Sequence, residues 1–554
     1  MEILISRREW IIALLISLAM TTILTIPYLL GYYLARSGTV FTGLIMNPED
    51  SQSYFAKMLQ GYDGHWLYTI PFTSKRHEPA FIGGFYLLLG QVARWFNLSL
   101  DYVWNGARVV ADIILFLFTF FFICTFLDDK RQRWTAYLLA ILGSGLGWLL
   151  FALRKFEWLG AFPVDFKMPE AHLFFSALTF PHVAVGTTIL LLSYWLLLKA
   201  LHGADKLWIF AILAGLANLL LGIVYPFLIF LVVATSGSYW LFLCVRAKQI
   251  LWRQAGFIAV ALMVPLPLIL YYATIQLNNE VFRAWSDQAI TLSPPFPHYL
   301  VAYGIMIGLS LISFIRKEHP GEARLKAFLW AWIIAAAILL YAPLNPQRRY
   351  VQGIQVPLSI LASVGLLKVA IPWLVNTRPF RRLVDRPRYS RDGLVRFLIF
   401  AFLLFMSISN LYILLDVSFT AGIKQPYPFF RSQEEVKAIN WMKTNTERSA
   451  IVLAAYETGN YIAAHAGNPV VVGHWAETID WDRQLDQTIR FYDGKTDDKW
   501  RQEFLNSNEI SYVWYGPQER WLGDFAPVKA GYLAPIYSAG EVEIFVVHWP
   551  ELAP

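Results

Sequence analysis

Two cysteines in 554 residues, Cys124 and Cys244, both within apolar runs, leave no material for a disulfide framework or a cysteine metal site. Charge is scarce as well: Asp, Glu, Lys and Arg make up 15% of the chain, against 57% hydrophobic and 16% aromatic residues, and the mean hydropathy is +0.46. That balance excludes a soluble fold and reads as a polytopic membrane protein. Acidic charge is short where basic charge is not. Residues 1–416 hold 34 Lys and Arg against 21 Asp and Glu, whereas residues 417–554 hold 12 against 18. The basic excess falls in short loops between apolar runs, as orientation signals do, and not on a groove or stripe that nucleic acid would need. Nucleic acid is therefore not expected as a partner.

What is present is a series of long apolar runs. The first, Trp10 to Ala35, carries no charge, follows Arg7 and Arg8, and shows no small-residue cleavage site. It reads as a retained anchor with a cytoplasmic N-terminus. Further spans are expected over 105–127, 134–152, 183–201, 207–225, 226–245, 256–274, 298–315, 326–342, 353–375 and 395–416, about eleven transmembrane helices in all. Basic clusters fall after every second span: Lys130 with Arg131 and Arg133, Lys199 with Lys206, Arg246 with Lys248 and Arg253, Arg316 with Lys317, Arg324 and Lys326, and the Arg-rich 378–396 stretch. An odd number of crossings delivers the C-terminal part outside. The apolar 80–97 segment would invert every later loop if it crossed, so it is placed as a re-entrant or interfacial helix.

These patterns divide the chain into a transmembrane domain, 1–416, with a long first outer loop at 36–104, and an extracytoplasmic α/β domain, 417–554. In the latter, strands are expected at 449–456, 468–473, 509–516 and 541–549, mainly parallel with a terminal antiparallel pair. Helices are expected between them at 434–443, 457–467, 483–494 and 498–507.

The first outer loop opens with Asn47-Pro48-Glu49-Asp50. Beyond it Tyr54, Phe55, Met58 and Leu59 recur at helical spacing with Ser51, Gln52, Ser53, Lys57 and Gln60 between them, the pattern of a helix lying in the membrane interface. Asp50 is either the N-cap of that helix or a working carboxylate at headgroup depth, and the two roles are compatible. Arg348 and Arg349 lie in a short outer loop, against the orientation rule. They suit bidentate phosphate binding or snorkelling towards headgroups. Lys75 and Arg76 form a second outer cationic pair that could equally be a solvated loop or an anionic-lipid contact. Of the ten histidines, only His202 and His319 fall on cytoplasmic loops in this topology. His65, His77, His172, His182 and His298, with Glu170, are candidate metal ligands or hydroxyl contacts, although for His182, beside Pro181 at a helix start, interface packing is the better explanation.

The stretch "HEPAFIGGFYLLLGQVARWF" at 77–96 is similar to the interfacial "HPPLYY"-type segment of bacterial aminoarabinose and protein mannosyl transferases, with Glu78 in place of the first Pro. "FSALTFPH" at 175–182, "QRRYVQGIQVPLSILASVGL" at 347–366 and "GHWAETIDW" at 473–481 resemble recurring elements of bacterial members of the same group. The whole plan resembles the GT-C superfamily of membrane glycosyltransferases. The resemblance implies transfer of a sugar from a polyprenyl-phosphate or polyprenyl-diphosphate carrier to a glycan, lipid or protein acceptor on the outer face of a bacterial plasma membrane. Such a displacement needs a base at the acceptor hydroxyl and cationic groups at the leaving phosphate. Asp50 is the candidate base with Glu49 as its understudy. Arg348, Arg349, Lys75 and Arg76 are candidate donor-phosphate contacts, and His77, Glu78, Glu170, His172, His182, His474, Trp475 and Glu477 candidate substrate contacts. A divalent metal, Mg or Mn, stays open as a cofactor, although no H-E-x-x-H spacing occurs. No glycine-rich phosphate loop supports a nucleotide-sugar donor. The rival readings are a lipid or solute transporter and a non-catalytic membrane assembly protein with an outer sensing domain. Against a transporter, no internal repeat is evident and Asp112 is the one clear acidic residue within a span.

Overall fold

An uncharged apolar run that crosses a bilayer has to satisfy its own backbone, and helix is the local solution. The computed structural model describes residues 5–315, 320–384, 386 and 389–548. Arg316, Lys317, His319, Arg388 and Trp549 lie outside the described residues. Among the described residues, seven helices are long and apolar enough to span: Arg7–Tyr33, Leu100–Cys124, Pro181–His202, Leu207–Val224, Leu228–Ala247, Pro297–Ile315 and Gln347–Val375. Two bent pairs bring the number to nine, Trp252–Met263 with Leu266–Asn278 at 48° and Arg391–Met406 with Ile408–Lys424 at 49°. The first bend falls at Pro265, where a missing N–H and the ring break the helical ladder.

Two of the eleven expected spans take another form. The helix Pro320–Leu339 carries Glu322, Arg324 and Lys326 near its start, which leaves its uncharged part short. The expected span over 134–152 is broken into Lys130–Leu142 and Gly147–Ala152. The four residues between them are non-helical, and their polar groups find partners inside the protein. Ser144 N–H donates to Met406 O at 2.5 Å and Leu146 N–H to Val301 O at 2.9 Å. Asn410 Nδ2 donates to Gly143 O at 3.0 Å, and Gln355 Nε2 donates to the same oxygen at 2.6 Å. Irregular backbone is tolerated at membrane depth only where protein replaces water in this way.

The chain divides into two compact units. The first is Met1–Ile26, Ala107–Leu270 and Thr291–Asp416; the second is Pro27–Gly106, Tyr271–Ile290 and Val417–Pro554. In the second, strands β1 (Thr39–Phe41) and β2 (Phe430–Ser432) pair antiparallel. A four-stranded sheet has the order β3-β4-β6-β5, with β3 at Ile451–Leu453, β4 at Ile510–Tyr515, β5 at Leu533–Ala539 and β6 at Val542–Val547. Only the β3–β4 pair is parallel; β4–β6 and β5–β6 are antiparallel. The sheet is thus less parallel than expected. The 468–473 run contributes a single bridge, Val452 to Val470, and β5 was not foreseen. Alternation along β4 sends Trp514 into one core with Ile439, Met442 and Ile462, and Val513 into another with Phe491 and Phe504. The helices Gln433–Asn445 and Tyr456–His465 therefore cover one face, and Trp481–Tyr492 and Asp498–Ser507 the other.

The first outer loop joins this unit. Its helix Gly84–Phe96 is 13 residues long, about 20 Å at 1.5 Å per residue, too short to cross. It packs on the helix Pro48–Tyr62 so closely that a Cβ on Gly90 would run into the carbonyl of Met58. The polar residues that made the Pro48–Tyr62 helix look amphipathic are not turned to solvent. Ser51, Gln52, Ser53 and Lys57 are buried along with Phe55, Met58 and Leu59.

The broken segment of the first unit gives a stability test. Gln355 also accepts from Leu173 N–H at 2.8 Å, so Gln355→Leu leaves that buried N–H without its acceptor and Gly143 O with Asn410 alone. A loss of about 1–3 kcal/mol for the unsatisfied N–H is expected, read as a lowered Tm of the detergent-solubilised protein; Gln355→Glu, which keeps the acceptor but sets a buried carboxylate against the Gly143 and Leu139 carbonyls, should lose at least as much.

Candidate active site

In the second unit, Asn47 enters the Pro48–Tyr62 helix in the left-handed region at φ 45°, and Pro48 pre-sets the first turn. Asp50 is accordingly not the N-cap. It sits one residue after Glu49 in the first turn, where exposed N–H groups and the helix dipole favour a carboxylate. The two acids diverge as helix neighbours do and not to opposite faces of an extended strand. Glu49 is exposed and accepts a hydrogen bond from the Tyr456 hydroxyl, whose pKa burial and that carboxylate raise. The Asp50 side chain is 43% exposed and its Oδ1 lies 3.2 Å from His474 Nε2, which donates to it.

His474 is nearly buried, and its Nδ1 has no hydrogen-bond partner among the described residues. Its loop is held from several sides. Thr478 Oγ1 donates to Phe72 O at 2.9 Å and accepts from Gly473 N–H at 3.0 Å, while Gln288 Nε2 donates to Thr478 O at 2.8 Å. Three residues on, Glu477 is 2% exposed, and its carboxylate accepts from Ser53 at 2.5 Å, Lys57 at 3.0 Å and Tyr68 at 2.6 Å. Lys57 Nζ also lies 4.2 Å from the Tyr68 ring centroid. Glu477 is therefore engaged within the protein and not presented to solvent. Burial alone would raise its pKa, but the Lys57 charge, His474 and the two hydroxyl donors outweigh it and hold the carboxyl below 4.5. Burial pulls Lys57 below its usual range, with Glu477 opposing. Trp475 is half-buried, its ring 6.0 Å from that of His474.

The remaining expected residues of this unit are less arranged for chemistry. Lys75 pairs with Asp480 at 3.1 Å and Arg76 with Glu509 at 2.6 Å, both exposed, a kind of pair that contributes little. His77 Nε2 accepts from Ile70 N–H at 2.9 Å and its Nδ1 lies 2.9 Å from Lys75 O, so both ring nitrogens are used to shape its own loop. Burial lowers its pKa. The Glu78 side chain is exposed.

The first unit carries a second polar cluster. Arg349 Nη1 donates to Tyr225 Oη at 2.8 Å and to Glu170 Oε1 at 3.4 Å, and Tyr225 donates to the same Glu170 oxygen at 3.1 Å. The His182 ring lies 5.3 Å from that of Tyr225. Arg349, Glu170 and His182, widely separated in sequence, are thereby brought together. Glu170 Oε2 and Arg348 Nε are buried without a hydrogen-bond partner among the described residues. His172 is fully buried with Nε2 at 3.4 Å from Asp165 Oδ1, and Asp165 in turn accepts from Ser409 at 2.8 Å. His298 donates to Trp158 O at 2.7 Å. No three His, Cys, Asp or Glu side chains converge on a metal-sized space among the described residues. Lys57, Tyr68, Tyr225, Tyr456 and Asp165 went unforeseen. Only Lys57, the one cation of its helix, left a trace in the sequence.

No family model and no curated protein matches the chain. Solved structures do. ArnT from Cupriavidus metallidurans bound to undecaprenyl phosphate superposes over 99% of this chain and 100% of its own at a TM-score of 0.54 and 10% identity. The arabinofuranosyltransferase AftD from Mycobacteria gives 0.54 at 12% identity over 99% of this chain, which spans 40% of the AftD chain. The oligosaccharyltransferase AglB from Archaeoglobus fulgidus, in complex with an inhibitory peptide and a dolichol-phosphate, gives 0.50 at 12% identity over 90% of this chain and 69% of its own. The chain has the GT-C fold. Its apolar spans make it an integral membrane protein, with the mixed sheet near the C-terminus.

The buried Lys57–Glu477 pair predicts a pH dependence. Glu477's folded pKa lies below its unfolded value, so its stabilisation is present above about pH 4.5 and is lost as pH falls through the folded value. Glu477→Gln leaves Lys57 as a buried cation without its counter-charge. The variant should be less stable by about 3–5 kcal/mol at pH 7, and its Tm should fall less steeply on acidification than that of the wild type.

Proposed function

We propose that this chain is an inverting membrane glycosyltransferase that moves a sugar from a polyprenyl-phosphate or polyprenyl-diphosphate carrier to an acceptor on the outer face of a bacterial plasma membrane. The observation that carries the reading is the carboxylate of Asp50, half-exposed at a helix N-terminus and oriented by a histidine that is itself fixed in a pinned loop. The GT-C fold and the carriers bound by two of its structural neighbours support the donor class.

In this reading the acceptor hydroxyl gives its proton to Asp50 as its oxygen bonds the anomeric carbon, and the carrier phosphate leaves from the opposite face with the bonding pair. The helix dipole and the His474 N–H favour the ionised carboxylate that this step requires. His474 is a positioning residue and Glu477 sets the loop that bears it. Arg348 and Arg349 are proposed as contacts of the leaving phosphate, Arg348 through its unpaired Nε and Arg349 from its Glu170–Tyr225 support. The sidedness rests on the basic loops and the positive-inside rule.

The test is sugar transfer from a polyprenyl-phosphate donor by reconstituted protein. Asp50→Asn should lose about 10²- to 10⁴-fold in kcat with donor binding intact, while Glu49→Gln should stay near wild type. His474→Ala should lose roughly 10- to 100-fold, the usual effect of removing an orienting partner. Full activity in Asp50→Asn would remove the proposed base.

A further inference from the structure

The helix Lys130–Leu142 presents Arg131, Trp134, Thr135 and Leu138 along one face, at spacings of three and four residues. The helix Arg391–Met406 presents Val395, Arg396, Ile399 and Leu403 in the same way. The two faces enclose a groove of about 300 Å³ within the first unit. Its composition is divided: Lys130, Arg131 and Arg396 are exposed cations, and the remaining walls are almost wholly apolar. Three positive charges over a hydrocarbon floor match neither water nor an uncharged tail alone.

The local carboxylates do not neutralise these cations. Asp129 caps the 130–142 helix by accepting from Gln132 N–H at 2.9 Å and pairs with Lys368 at 3.8 Å. Glu9 accepts from Ser6 at 2.6 Å and Arg133 at 3.4 Å, leaving only a 4.0 Å approach to Lys130. Arg131 and Arg396 have no ion pair among the described residues. Glu9 and Arg133 also place this end of the groove beside the start of the first span, next to Arg7 and Arg8, the end that basic residues mark as cytoplasmic. Phe397, Phe400 and Leu404 continue the apolar surface of the second helix outward, where a hydrocarbon chain can follow it.

We propose that this groove binds an anionic phospholipid of the cytoplasmic leaflet, with its phosphate held by Arg131, Arg396 and Lys130 and an acyl chain laid over Trp134, Leu138, Ile399 and Leu403. Basic residues between spans at a cytoplasmic surface recognise such headgroups, and an aromatic at that depth marks the interface. The site is separate from sugar transfer and does not rest on the activity proposed above.

Native mass spectrometry of the full chain released from mixed phosphatidylglycerol and phosphatidylcholine bilayers reads the occupant directly. Wild type should retain phosphatidylglycerol preferentially. The double variant Arg131→Gln with Arg396→Gln should lose roughly 25-fold in that retention, whereas Lys248→Gln, an exposed cation elsewhere, should retain it like wild type. Photoactivatable phosphatidylglycerol on the wild type should label residues 130–142 and 391–406, a readout that needs no variant to fold. Equal retention of phosphatidylcholine, labelling confined to other spans, or protection by inorganic phosphate or undecaprenyl phosphate in place of phosphatidylglycerol would overturn the proposal.

Discussion

The buried ion pair between Lys57 and Glu477 is the constraint on which the candidate site depends. Two charges in so dry a place are tolerated only with close geometry and further hydrogen bonds, which Ser53 and Tyr68 supply. The pair ties the Pro48–Tyr62 helix to the 473–478 loop, residues about 420 apart in sequence. Once those two pieces are fixed, His474 has little freedom and Asp50 meets it at the helix N-terminus. Orientation of the Asp50 carboxylate is thus a consequence of a salt link that never touches solvent. It also explains why a long first loop is ordered: its helices have been taken into the core of the C-terminal sheet unit, where Tyr68, Phe72 and Leu87 pack with Ile439 and Trp514.

The first unit solves a different problem, that of satisfying polar groups set among its spans. Its broken segment at 143–146 is satisfied by Gln355 and Asn410, and its arginine at 349 is held by Glu170 and Tyr225. Each is a fixed polar arrangement that costs stability if one member is removed, so each is present for more than packing. Arg348, with a buried donor left over, is the member with capacity for an outside partner.

Much of this was legible in the sequence, for reasons that differ by element. Seven spans, and two more as bent pairs, follow directly from apolar length, because hydrocarbon permits no alternative to helix. The short helix at 84–96 was legible as non-crossing only through charge bookkeeping on the later loops. The break at 143–146 was not legible, since Gly143-Ser144-Gly145 is common in spans and the side chains that replace its helical bonds lie more than 200 residues away. The helix at 48–62 was read with a wet polar face because amphipathic spacing cannot distinguish water from a buried lysine pair. Strand β5 and the sheet order depend on pairings far apart in the chain, which local propensity does not encode. At the site, residue types were legible but their partners were not. Asp50 and His474 were both candidates, and nothing in the spacing joined them.

A single displacement with Asp50 as base has one stereochemical outcome, which makes product configuration the most direct measurement of the account. Sugar transferred by reconstituted protein from an anomerically defined polyprenyl-phosphate donor should appear in the product with inverted configuration, read from the one-bond C1–H1 coupling by NMR. Retained configuration would require a covalent glycosyl-enzyme or a second displacement, and would contradict a mechanism in which Asp50 only takes the acceptor proton.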